Sequence, residues 1–399
     1  MDLTALLLSR LQFAFTVSFH IIFPSFTIGL AAWLTVLEAL HLWTARPAYR
    51  LVFEFWLKIF GVAFGLGVVS GIVMAFQFGT NWSVLARMSG PIQGPLLSYE
   101  TFTAFFLEAS FFGILLFGRS RVPPWFYLFS TAMVALGTTL SAYWIMANNS
   151  WMQVPVGYVI ENGAFAPDDW FKILFSPVLW VRFPHMLLAS YITGAVCVAA
   201  TGAWYVLRQE FAAEARIMLR MGLYLAAVLL PVQGFFGHLN GEYVVHHQPA
   251  KMAAIEARWH DEKPASEVLL AWPDVENRRN LFAITLPPPF GSLIGSDSLT
   301  AGEVGLDSIP QENWPPVVIP FFTFRIMVGC WLVMMLVAWA GSYLIHKGRV
   351  EQSRPLLWAA FLSFPLPFIA TLTGWYTAEV GRQPWTVFGV LRTAEARRS

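Results

Sequence analysis

His20, Glu100, Glu108, His185, Arg325, Met327 and Glu379 all stand inside long apolar runs of this 399-residue chain. An ionisable side chain is expensive in an apolar medium, so each is read first as a candidate for function. Imidazole and thioether both ligate iron, and a His/Met pair raises the potential of a haem. With no thiol or carboxylate cluster beside them, two buried histidines suit b-type haem better than zinc. His185 with Met327 could make a six-coordinate, low-spin electron-transfer haem. His20 and Glu379 could each hold a five-coordinate haem with an open face for oxygen. Glu100 and Glu108 are eight residues apart, which on a helix means about 80° of rotation and about 12 Å of rise. That spacing predicts successive proton-carrying steps on neighbouring faces, and Ser141 could join them. Each residue also has a plain packing reading: methionine usually fills space in an apolar helix, and most serines there bond their own helix.

The elements that would position this set are membrane-spanning helices. Spanning takes roughly 20 mostly apolar residues, and the chain offers such segments at 12–42, 54–79, 96–118, 123–149, 178–207, 216–237, 317–346 and 356–379. The sequence therefore predicts an all-α polytopic bundle of about eight transmembrane helices, organised as 1–237, a long polar loop 238–316, and 317–399. The loop carries Lys251, Glu256, Arg258, Asp261, Glu262 and Lys263, then Pro287, Pro288 and Pro289. A loop this long is more often functional than a connector. Basic residues gather after odd segments: Arg46 and Arg50, Arg119 and Arg121, Arg208, Arg216 and Arg220, then Lys347, Arg349 and Arg354. Even loops are poorer, with Arg87 and Lys172. The positive-inside rule then puts the N-terminus and the long loop outside. On that orientation His20, Glu100, His185, Arg325, Met327 and Glu379 share the outer half of the membrane. Packing alone gives five helices no reason to agree in depth.

Composition closes off other classes. Only 12% of residues are charged and 57% are apolar, with a mean hydropathy of +0.57, too little charge to solvate a soluble multidomain enzyme. A net charge of +1 provides no excess for binding phosphates, so no nucleic-acid partner is expected. Cys197 and Cys330 lie in apolar runs, excluding a disulfide framework, a Cys-rich zinc site and a thioether-attached haem. The first apolar run is too long for a cleaved signal peptide and is expected to remain in the mature protein.

The runs SRLQFAFTVSFHIIFP, FQFGTNW (76–82), AFFLEASF (104–111), NSWMQ (149–153), FRIMVG (324–329) and EVGRQPW (379–385) resemble subunit I of cytochrome bd-type quinol oxidases, in matching order and spacing. The loop resembles the short kind found in the cyanide-insensitive branch. The resemblance implies a bacterial inner-membrane quinol:oxygen oxidoreductase that reduces dioxygen to water and builds a proton gradient. It implies three haems: a low-spin haem b on His185 and Met327, and two high-spin haems, a haem b and a haem d or further haem b, on His20 and Glu379 in an order left open. It also implies that Lys251 and Glu256 serve quinol oxidation and that Arg325 and Arg382 offset propionate and redox charge. Trp375 would lie beside the haems, and Glu100 and Glu108 would belong to the proton route and haem surroundings. The implied partners are a second membrane subunit, with room for a small single-helix accessory subunit, and ubiquinol or menaquinol with dioxygen. The family usually adds a further helix after GRQPW, where this chain ends in a tail with Arg392, Arg397 and Arg398, so a short or truncated member is expected. Ala75 stands where many long-loop members carry a carboxylate. Two other readings of the residues are a haem-bearing electron carrier that does not reduce oxygen, and a cofactor-free proton channel or transporter.

Overall fold

The computed structural model describes residues 3–288 and 303–397; Pro289 and Arg398 lie outside the described residues. Eight helical stretches in it are long and apolar enough to cross a membrane. In chain order the helices are α1 (Leu3–Thr44), α2 (Pro47–Gly79), α3 (Ser83–Glu100), α4 (Phe106–Phe117), α5 (Pro124–Gln153), the short α6 (Trp170–Leu174), α7 (Leu179–Arg208), α8 (Ala212–His247), α9 (Pro249–Glu256), α10 (Val318–His346), α11 (Arg354–Leu362) and α12 (Leu366–Val380). The small hairpins β1–β2 (Tyr158–Glu161, Ala164–Pro167), β3–β4 (Glu267–Asp274, Arg279–Leu286) and β5–β6 (Trp385–Val387, Leu391–Arg392) lie in the connections.

Helices α1 and α7 form the centre. In their most apolar windows 56% and 67% of residues are buried within the chain, against 17% in α2, whose remaining surface is left for lipid or a partner. The α1–α7 contact is made by backbone: a Cβ on Gly29 would collide with the Ser190 carbonyl, and one on Gly194 would lie 3.0 Å from the Gly29 carbonyl carbon. Small residues allow this approach where lipid provides no hydrophobic drive between helices. Leu30, Leu34 and Leu37 of α1 then pack with Phe53, Trp56 and Phe60 of α2 and Tyr127 of α5.

Three boundaries differ from the sequence reading, each for a local reason. The polar stretch does not begin at His238, because α8 continues unbroken to His247; backbone hydrogen bonding carries a helix past the end of its apolar run. The eighth span is two helices, α11 and α12, separated at Ser363–Pro365, where Pro365 and Pro367 cannot continue an incoming ladder. The third span is interrupted by a π turn over Thr101–Phe105, held by Trp144 of α5, whose Nε1 donates to Thr103 Oγ1 at 2.7 Å.

After α12 the chain turns through Gly381–Pro384 into β5–β6, which is stitched to the bundle by Phe388 N to Met152 O and Leu85 N to Ala396 O, each 3.0 Å. The hairpin therefore holds the end of α12 against the end of α5. These ends carry the site.

Candidate functional site

Glu379, at the end of α12, faces the last turn of α5. Its Oε1 accepts from Asn149 Nδ2 at 3.0 Å and Gln153 Nε2 at 2.9 Å, and its Oε2 is paired with Arg382. Arg182 of α7 enters the same cluster, donating to Asn149 Oδ1 at 2.5 Å and Ser150 Oγ at 3.1 Å. Lys251 reaches in from α9, with Nζ donating to Gln153 Oε1 at 2.8 Å and Gln248 Oε1 at 2.7 Å. Burial, with Arg182 second, holds the Lys251 ammonium well below the usual lysine range. One carboxylate thus faces three basic side chains. Arg382 is 5% exposed, yet its Nε and Nη1 have no partner. Unpaired buried guanidinium donors are costly, so the cluster is built for additional anionic oxygens, and the propionates of a haem fit that requirement.

His185, on α7 directly after Pro184, lies across α8 from α10. A Cβ on Gly237 would sit 3.5 Å from its Cε1, and one on Gly234 would sit 2.8 Å from the Trp331 ring, one turn beyond Met327. His185 Nδ1 is shielded from solvent and unpartnered, as is Gln233 Oε1, while Gln233 Nε2 lies 3.3 Å from His185 Nε2. An imidazole with an idle nitrogen inside an apolar bundle suits a metal ligand. The Met327 sulfur rests against α12, where a Cβ on Gly374 would come within 2.8 Å of it, and the half-buried Trp375 is the next residue.

His20 of α1 is oriented from α2. Ser70 Oγ lies 2.9 Å from His20 Nδ1 and 2.7 Å from Leu66 O. With the proton on Nδ1, Nε2 would keep its lone pair, the form an iron ligand needs. A Cβ on Gly71 would lie 3.2 Å from the ring Cε1, so α2 presses closely on the imidazole.

Glu100 and Glu108 do not lie on neighbouring faces. The π turn between them inserts one residue, so eight positions count as seven, or two helical turns, and both side chains meet α5. Ser141 Oγ donates to Glu100 Oε1 at 2.8 Å, and Gly137, one turn earlier on α5, accommodates Glu108: a Cβ there would come 2.5 Å from Glu108 Cγ.

Arg325 is not gathered with these groups. Its guanidinium donates to Leu269 O at 3.0 Å, Ile255 O at 2.8 Å and Phe321 O at 3.0 Å, and also to Val268 O. It lies 3.5 Å from Glu256 and 3.9 Å from Glu267. Its donors are spent fastening α10 to the loop. Glu256 faces this arginine and Lys251 faces Glu379, so the two loop residues point to different clusters, and both are buried at 1% and 5% exposure. Sequence reasoning missed Arg182, Asn149, Gln153, Ser70 and Gln233. Arg182 carried the same signal as the rest, a charge in an apolar run, three residues before His185.

Eight helices long and apolar enough to cross a membrane, with an excess of buried cation around Glu379, define an integral membrane protein. Residues 8–399 match the profile of cytochrome bd terminal oxidase subunit I. Cytochrome bd ubiquinol oxidase subunit 1 of Bacillus subtilis (strain 168) is 34% identical, over 99% of this chain and 86% of that protein. Cytochrome bd-II ubiquinol oxidase subunit 1 of Escherichia coli (strain K12) is 33% identical, over 98% and 89%. The bd oxidase structure from Geobacillus thermodenitrificans superposes with a TM-score of 0.92 at 28% identity, over 99% of this chain and 91% of that one. The chain belongs to the cytochrome bd terminal oxidase subunit I family. It is a haem-containing, multi-pass bacterial membrane protein.

Proposed function

We propose that the chain is the subunit at which quinol is oxidised and dioxygen is reduced to water, working with a second membrane subunit. The carrying observation is the cluster in which Glu379 faces Arg182, Lys251 and an Arg382 with two idle nitrogens. A cofactor-free channel has no use for such an excess of buried cation. His185 and Met327 would hold a low-spin haem b, and His20 and Glu379 the two high-spin haems, of type b and d or b and b. When bound, these groups supply electron transfer from quinol and the reduction of oxygen.

The chain's own residues do the rest. Ser70 fixes the His20 tautomer. Asn149 and Gln153 hold the Glu379 carboxylate in one orientation, and Arg382 with Arg182 would offset propionate charge. Glu100 and Glu108, backed by Ser141 and Gly137, hand protons along α5 from the cytoplasmic side. Lys251 and Glu256 border the quinol, and the N-terminus and the loop around 238–316 lie outside, so quinol protons leave on that side. Residues 1–237 and 317–399 form the ligand-bearing parts.

The test is a reduced-minus-oxidised spectrum of the purified complex, with haem extraction and quinol-driven oxygen uptake on the same sample. Haem bands with uptake are expected. Haem bands without uptake would return the reading to an electron carrier, and a folded, colourless protein would sink it.

A further inference from the structure

The outer loop contains a second buried ionic cluster. Glu256, Glu267 and Glu303 are 1%, 6% and 8% exposed, and Arg258 is 7% exposed. Arg258 donates to Glu262 at 2.7 Å and pairs with Glu303 at 2.9 Å, while a single Arg325 nitrogen lies between Glu256 and Glu267. Four carboxyls therefore face two guanidinium groups. The Glu256 and Glu267 carboxyls are within hydrogen-bond reach of each other. Each nevertheless keeps one buried oxygen, Glu256 Oε1 and Glu267 Oε2, for which the protein provides no donor. Two acceptors cannot satisfy each other unless a proton lies between them.

We propose that Glu267 shares one proton with Glu256 and so makes the pair a relay that carries quinol protons out through the loop. The proposal rests on the reading that Glu256 borders the quinol. In each passage a quinol hydroxyl gives a proton to Glu256 while the proton already held leaves from Glu267. The pair ends as it began, and the two protons of one quinol leave in two passages. The two electrons go to the haem-bearing helices and on to dioxygen, the oxidant of the family's reaction. The way out is by Glu262. Its side chain is 38% exposed, shares Arg258 with Glu303, and accepts from Ser266 Oγ, beside Glu267, at 2.9 Å. Burial and the adjoining Glu256 carboxyl push Glu267 up from the usual carboxylate range, with Arg325 and Arg258 opposing. Burial likewise raises Glu303. The charged groups facing the pair are thus Arg325 from α10, Arg258 and Glu262 from the segment after α9, and Glu303, whose backbone bridges to Glu262.

The test compares E267Q and E256Q with wild type in the assembled complex, using quinol-driven oxygen uptake across pH and infrared difference spectra. E267Q is expected to lower kcat about tenfold, leave the quinol KM within about twofold, and flatten the pH profile while the haem spectrum stays intact. The wild-type minus E267Q infrared difference should contain a protonated-carboxyl C=O stretch. Wild-type kcat and pH profile in E267Q, with E256Q inactive, would overturn the sharing alone. Wild-type turnover in E256Q would instead overturn the placement of Glu256 at the quinol. If E267Q does not assemble, the wild-type minus E256Q difference decides, and a spectrum without that stretch overturns the proposal.

Discussion

Glu379 sits among three basic side chains and two amides, whereas Glu100 and Glu108 have only a serine hydroxyl and a glycine across from them on α5. Both settings face the same helix, Glu379 at its last turn and the other two near its middle, yet they are opposite in construction. The first fixes its carboxylate from several directions, with both oxygens engaged, and suits a ligand beside anionic propionates. The second leaves its carboxyls with a single neutral donor and suits groups that take up and release protons. One residue type thus stands in two settings of different charge, which suit two different tasks.

Four substitutions would break or sharpen that contrast. Glu379→Ala removes the carboxylate that pairs with Arg382 and offsets the nearby Arg182. Leaving buried charge without its counterpart costs about 3–5 kcal/mol, so haem extraction should show the loss of one haem and oxygen uptake should fall more than about a hundredfold. Full haem content in this variant would remove Glu379 from the ligand set. Glu108→Gln keeps shape but cannot carry a proton. Oxygen uptake should drop about a hundredfold with unchanged haem bands, and a bleached spectrum would show that the α5 side is structural after all. Gly137→Ala drives a methyl group into Glu108 Cγ at 2.5 Å. A loss of about 1–3 kcal/mol in thermal stability should accompany a roughly tenfold slower uptake. Ser141→Ala deletes one hydrogen bond, about 0.5–1.5 kcal/mol, and should slow uptake by only a few-fold with no spectral change.

Much of this arrangement could be read from the residues. Length and hydropathy located the eight spans, and the cost of charge in an apolar run picked out His20, His185, Glu100, Glu108 and Glu379. The same rule applied to VLWVRFPHM would have found Arg182. Other features have no such signal. Nothing in YETFTAFF announces a π turn, and without it the faces of Glu100 and Glu108 are assigned wrongly, because one inserted residue rotates everything after it by about 100°. The contacts of Arg325 to the loop were hidden for a related reason. Depth along a helix is readable from orientation, but the direction in which a long side chain leaves it is set by the loop that packs there. Asn162 and Gly163, both at positive φ between β1 and β2, are a readable hairpin signal in the fourth connection.

The backbone-to-backbone seam between Gly29 and Ser190 also bears on synthesis. The two sides of that seam are separated by roughly 160 residues, which at about 5–20 residues per second emerge over about 8–32 s. During that interval α1 has α2 beside it but not α7, the helix that Gly29 is shaped to meet. The centre of this protein consequently stays open until the fifth span has been made, and His20 waits in a half-assembled bundle until then.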